Sequence, residues 1–414
     1  MTSTTSHVSA QLIGRPDFEE FCGSVFAALP RRDQQRKAAA YVAGLLRASG
    51  RKSLRNIAAA AGAEVNEQSL HHFVSESTWP WRTVRRALAQ HVVPTSRPQA
   101  FVVRHRDTPA RPARRAGAEL PQPRRTYGLW AATDGAALPL SWWLHEDPRT
   151  DGAPGRAAGR VPGRSPEAVV VEAYRDAVAA GRGTVPLVAD ARGISVSSIL
   201  RGLEAAVPGA PVALRVAPGQ AVQVTDPRCP RGVWTPAHEV AAWTRDLRRT
   251  SATGDEPGRL AVSRIAVQVP ERTAAAGARS APPLLAELVC LGDPRRPWPQ
   301  QLWLVAGAPA DPDLAQHLAR WLEHAPASAE RTSGALGLDD YRGRSDDGFH
   351  RHAALVGVAQ AFLARQSVAP VRLRPVLPAG GDRSALCSSR FPVARTSRTS
   401  LVHRLHACPD TARA

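Results

Sequence analysis

The chain has 414 residues, 43% hydrophobic but only 5% aromatic, enough for two or three domains with cores filled mainly by Ala, Val and Leu. Its formal charge of +18 favours a polyanionic partner, most simply nucleic acid, although a coding bias toward arginine competes as an explanation, since Lys37 and Lys52 are the only lysines. Five scattered cysteines without a CxxC pair exclude a zinc ribbon or a thioredoxin-like motif, and no apolar run approaches the roughly 20 residues that would span a bilayer.

In chain order, residues 1–14 are expected to be disordered. The start has neither a basic lead nor an apolar segment, so it does not read as a signal peptide. With the sparse cysteines, this places the protein in the cytoplasm with reduced thiols and no membrane contact. Residues 15–95 read as a helical domain, with apolar residues at three- and four-residue spacing in "DFEEFCGSVFAAL" and "RRDQQRKAAAYVAGLLRAS". Within it, Ser53 can cap a helix running to Ala61, Gly62 suits a turn, and Asn66 can cap a second helix. This is a helix-turn-helix-like unit, which serves either for DNA contact or simply for packing. For DNA contact, Arg51, Lys52 and Arg55 are the expected phosphate ligands, and Gln68 and His71 face the groove.

From residue 98 the pattern changes. Strands are expected at 100–106, 127–133 and 136–145, the last two joined by Asp134-Gly135. A Gly/Pro/Arg-rich linker covers 146–164, followed by a helix, an apolar strand over 184–190 that ends on Asp190, a second helix and a strand at 211–216. Residues 217–300 form a β-rich insertion of open role. A strand at 300–307, a helix over 311–325 and a long helix over 348–366 follow. The Pro/Ser/Arg-rich tail, 367–414, reads as disordered. The fold class is therefore α/β (α+β), with a helical N-terminal domain ahead of a mixed sheet over 98–366.

Asp190 ends a buried strand, where α/β sheets place their sites, or else caps the turn near Gly193. A three-strand meander, a helix, a strand ending in Asp and a late helix carrying acids follow the ribonuclease H-like plan. Nucleases of that plan gather three carboxylates around two magnesium ions about 3.5–4 Å apart.

The block 31–92 resembles the N-terminal domain of DDE-superfamily transposases of bacterial insertion sequences, also called DDE superfamily endonucleases. The resemblance continues through "AFVVRHRDTP", "YGLWAATDGAALPLSWWLH", "VPLVADARG" and "LGLDDYRGRSDDGFHRHAALVGVAQAFL". It implies strand cleavage and transfer on double-stranded DNA with Mg2+ or Mn2+, and catalytic acids at three places. Asp190 matches the second. At the first, Arg104 and His105 stand where the acids belong, and Asp107 is several residues late. At the third, the ungapped position is Pro326, flanked by Glu323 and Glu330 on one helical face. The Lys and Glu that accompany the family's motifs are Ala110 and Arg342 here.

The expected acids are thus Asp190, Asp107 and Glu330, with Asp190 and Asp107 as metal ligands. Two poor matches imply a DNA-binding relative with impaired catalysis and no cofactor. An active Mg2+- or Mn2+-dependent transposase is the alternative, and a non-catalytic basic scaffold or regulator a second. Assembly into a homo-oligomer is left open. The pairs His71-His72 and His350/His352 do not face one way on a helix, which favours structural roles over metal binding. No Gly-rich phosphate loop or nucleophile elbow occurs.

Overall fold

The computed structural model describes residues 16–108, 124–133, 137–145, 165–181, 183–229, 233–250, 261–271, 282–293, 295–296, 298–307, 317–318, 321–322, 325–343 and 345–367. The expected disordered start, the Asp134-Gly135 turn, the 146–164 linker, most of the 311–325 helix, Glu323 and the tail beyond 367 lie outside these residues.

Helices α1 (Pro16–Phe26), α2 (Arg32–Arg47), α3 (Leu54–Ala61), α4 (Glu67–His71) and α5 (Trp81–Ser96) precede the sheet. The caps are those that residue chemistry dictates. Ser53 Oγ accepts from the Asn56 amide at 3.2 Å, and Asn66 Oδ1 accepts from the Ser69 amide at 2.8 Å. Gly62 between them has a φ of 106°, which disfavours any residue with a Cβ. The second helix is short, and a π-turn over His72–Glu76 continues it.

Strands β1 (Ala100–Thr108), β2 (Arg124–Ala132) and β3 (Ala137–His145) form the meander. After α6 (Pro166–Ala180) come β4 (Leu187–Asp190), α7 (Val196–Ala206) and β5 (Val212–Val216). The order β3-β2-β1-β4-β5, with β1, β4 and β5 parallel, is ribonuclease H-like. The central strands are apolar on both faces because both are covered. Phe101, Val103, Leu187 and Ala189 join a core shared with the N-terminal helices. Val102 and Val188 face a second cluster containing Leu318, Trp321 and Leu322.

The rest of the sheet comprises β6 (Ala221–Val224), β7 (Thr235–Pro236), β8 (Arg249–Thr250), β9 (Ala261–Val269), β10 (Leu284–Gly292) and β11 (Gln301–Ala306), with the short helix α8 (Ala237–Trp243) after β7. β11 pairs antiparallel with β5, and β10, β9, β6 and β7 follow outward. Among the described residues, the β-rich insertion is therefore a continuation of one 11-stranded sheet. Helices α9 (Ala325–Ala335) and α10 (Asp346–Ser367) follow.

The N-terminal helices and the sheet share one buried cluster running from Phe18 to Phe362. Residues of "LDDYRGRSDDGFHRH" join them. Asp347 accepts from Trp81 Nε1 at 3.0 Å, and Asp340 accepts from the Lys52 amide at 2.7 Å. His352 is fully buried between Tyr41 Oη (2.9 Å) and the Gly337 carbonyl (2.8 Å), and His350 stacks on Trp81. Burial pushes the two imidazoles down, His350 to about 3 and His352 to about 4, which keeps both neutral. Both histidines are joints in the packing.

Candidate site at the ends of the parallel strands

The C-terminal ends of β1 and β4 lie side by side, with Val102 opposite Val188 and Val103 opposite Ala189. One step further, the register puts Arg104 beside Asp190. On the other side Asp190 is paired with Arg215 of β5. Asp190 is only 7% exposed, so its carboxylate needs hydrogen bonds. It receives them from Arg192: Nε at 2.9 Å, Nη2 at 2.6 Å and the backbone amide at 3.1 Å. Burial alone would raise this carboxyl's pKa. The hydrogen bonds and charge of Arg192, with Arg215 nearby, outweigh burial and hold it below the usual range.

The same three-residue turn recurs far from this site. Asp226 accepts from the Arg228 amide at 2.9 Å and from its guanidinium at 2.9 and 2.6 Å. Asp-x-Arg at a strand end is thus a general turn in this chain, legible as a repeated tripeptide. At Asp190 it combines the two sequence readings, a strand-end acid and a turn cap.

Glu330 comes to the site on α9. Pro326 is the second residue of that helix, where the missing amide is harmless, so it does not interrupt the helix carrying Glu330. Glu330 Oε1 lies 3.7 Å from Arg104 Nε, too long for a hydrogen bond, and is buried without a hydrogen-bond partner. Burial raises the Glu330 pKa, offset in part by the charges of Arg104 and Arg106. Arg106, two residues along the same face of β1, pairs with Asp339. Each acid thus has its own guanidinium, Arg192 on Asp190 and Arg104 against Glu330.

Asp107 lies opposite Arg125 in β1. It is three residues beyond Arg104, roughly 10 Å along the strand. The backbone thus brings Arg104 to Asp190, whereas position 107 lies beyond that point. Arg192, Arg106 and Asp339 are site residues that sequence reasoning missed. Only the Asp-x-Arg repeat announced one of them.

The helical candidates separate by exposure. Arg51, Arg55, Gln68 and His71 are exposed, with Arg51 3.9 Å from Asp340 and His71 3.4 Å from Glu76. Lys52 is 8% exposed, its ammonium donates to the Ala48 carbonyl, and burial lowers its pKa. Lys52 is thus drawn into the joint with Asp340 and Gly337 and does not present its charge to a phosphate.

The family model of the DDE superfamily endonucleases matches residues 24–237, more than half of the chain. The chain belongs to that family. No curated protein matches it. Membership in the DDE family implies a DNA substrate and divalent metal ions, and the side chains can be tested against the latter. Two magnesium ions need several carboxylate oxygens free to bridge them. In this DDE chain Asp190 is bidentate to a guanidinium, Glu330 faces Arg104, and Asp339 is taken by Arg106. Among the described residues no three His, Cys, Asp or Glu side chains gather as a metal cluster. Among the described side chains the donor set does not fit a two-ion centre. Among the described residues no helix is long and apolar enough to cross a membrane.

Proposed function

We propose that this DDE-family protein binds double-stranded DNA in the cytoplasm without cutting it, arginine–carboxylate pairs having replaced the family's metal centre. The observation that carries the reading is a guanidinium on each acid, Arg192 bidentate to Asp190 and Arg104 against Glu330. A cation fixed there repels the cations a nuclease would recruit, and at close range that repulsion costs on the order of several kcal/mol. The two capped helices, with Arg51, Arg55, Gln68 and His71 exposed, are the proposed contact to DNA. The first three residue types suit phosphates and base edges in a major groove. Lys52 supports the fold of this unit, and assembly into a homo-oligomer is compatible with the reading.

The test is a nicking assay on supercoiled and linear DNA with Mg2+ or Mn2+, alongside a gel-shift titration at low salt. The expected result is binding without cleavage, unchanged in Asp190→Ala. Metal-dependent nicking lost in Asp190→Ala would establish the active-transposase reading instead. No DNA binding at low salt would overturn both.

A further inference from the structure

The β-rich extension carries a feature that the acid site does not use. Of the ten tryptophans, seven are buried, but Trp234, Trp243 and Trp298 are exposed. Trp243 ends α8 and is 60% exposed; Trp298, between β10 and β11, is 56% exposed. Strand register brings their segments to one corner. Thr250 pairs with Ala261, which also pairs with Gly292 at the end of β10. Arg248 Nη1 then ties the two segments by donating to the Arg296 carbonyl at 3.0 Å.

Charge at this corner is positive. Arg245, Arg249, Arg295 and Arg296 are exposed within six residues of Trp243 or Trp298. The acids among them are Asp246 and Asp293, and Asp293 accepts from the Arg295 amide at 2.8 Å. Exposed indole faces with interleaved guanidinium groups suit unpaired bases on a phosphate chain. Every base offers a π-face for stacking, while a duplex keeps its faces covered. An apolar protein partner would not call for this density of arginine.

The corner also lies on the edge of the sheet that holds the acid site. Asp190 pairs with Arg215, Val216 with Leu302, Gln301 with Leu291, and Gly292 with Ala261. Walking across these pairs, the C-terminal ends of β4 and β5 and the end of β10 share one edge. From β4 to β9 is four strand spacings, roughly 20 Å.

We propose that this corner binds single-stranded nucleic acid, with Trp243 and Trp298 stacking on unpaired bases and Arg245, Arg249, Arg295 and Arg296 holding phosphates. The site is separate from the helical surface proposed for duplex DNA and independent of whether the protein cleaves.

The experiment measures anisotropy of a fluorescein-labelled oligothymidylate of about 20 nucleotides, and of a blunt duplex of equal length, with the full chain. Trp243→Ala/Trp298→Ala should weaken oligothymidylate binding by roughly tenfold or more, because each base–aromatic stack contributes measurably to affinity. Duplex affinity and the thermal melt should stay unchanged, since both residues are exposed. Trp→Phe at both positions should restore most of the loss. Unchanged oligothymidylate affinity in the alanine variant would overturn the proposal, as would an equal loss for oligothymidylate and duplex. Loss of self-association in sedimentation velocity, with oligothymidylate binding intact, would instead assign the corner to contact between copies.

Discussion

At Arg104, one residue sets the electrostatics of the site. Its guanidinium lies against Glu330, whose carboxylate an acid at this position would leave without a cationic neighbour. Arg104→Asp should therefore reverse the local charge and leave Glu330 free to serve as a ligand. Mn2+ should raise the melting temperature of this variant and leave the wild type unmoved. At a metal concentration about 100-fold above Kd the gain is about 2.7 kcal/mol, readable by scanning calorimetry. Equal melting shifts in both proteins would show that Arg104 does not block the ions. Gly44 is a second decisive position. A Cβ there would lie 2.5 Å from the Ile57 carbonyl oxygen, where α2 meets α3. Because backbone must move, Gly44→Ala is expected to cost about 1–3 kcal/mol in urea unfolding.

Among the elements, α10 and the capped helices are read through different experiments. α10 buries His350 and His352 neutral, with pKa values pushed to about 3 and about 4. An unfolded chain titrates these near 6.5 and so binds more protons between the two values. Their contribution is fully present above about pH 6.5 and is lost as pH falls toward 4. The slope is about 1.4 kcal/mol per pH unit for each histidine. His352→Asn should lower the urea midpoint at pH 7, through lost hydrogen bonds, and flatten the decline between pH 6.5 and 4. On α3, Arg55 is exposed while Lys52 just before it is buried. Arg55→Ala should weaken duplex binding evenly across sequences and reduce the salt slope by about 1. An unchanged slope would remove Arg55 from the contact.

For the whole molecule, charge and topology act together. The +18 balance predicts a steep salt dependence of duplex affinity. With six to ten phosphate contacts, affinity should fall roughly 10³–10⁵-fold between 50 and 200 mM salt. A flat response in an anisotropy titration would return the arginines to coding bias. The shared core cluster from Phe18 to Phe362 holds the helical region against the sheet. Lys52, Asp340 and Gly337 tie α2, α3 and the approach to α10 at one joint.

What residue order determined by itself was local. Ser53 and Asn66 announce helix starts because a cap hydrogen bond reaches only three residues on. The apolar run ending on Asp190 announces a strand buried on both faces, and the order of strands and helices announces the ribonuclease H-like plan. The family motifs were legible for the same reason, being contiguous stretches. Only the tertiary structure decided which charges meet. Arg104 and Glu330 lie more than two hundred positions apart, and no periodicity pairs them. Their meeting follows from the β1–β4 register and from where α9 crosses the sheet. Burial of Lys52, continuity of the extension with β5 and exposure of Trp243 and Trp298 are likewise properties of packing. Local signals come from a few neighbouring residues, whereas a site's electrostatics come from segments that folding alone brings together.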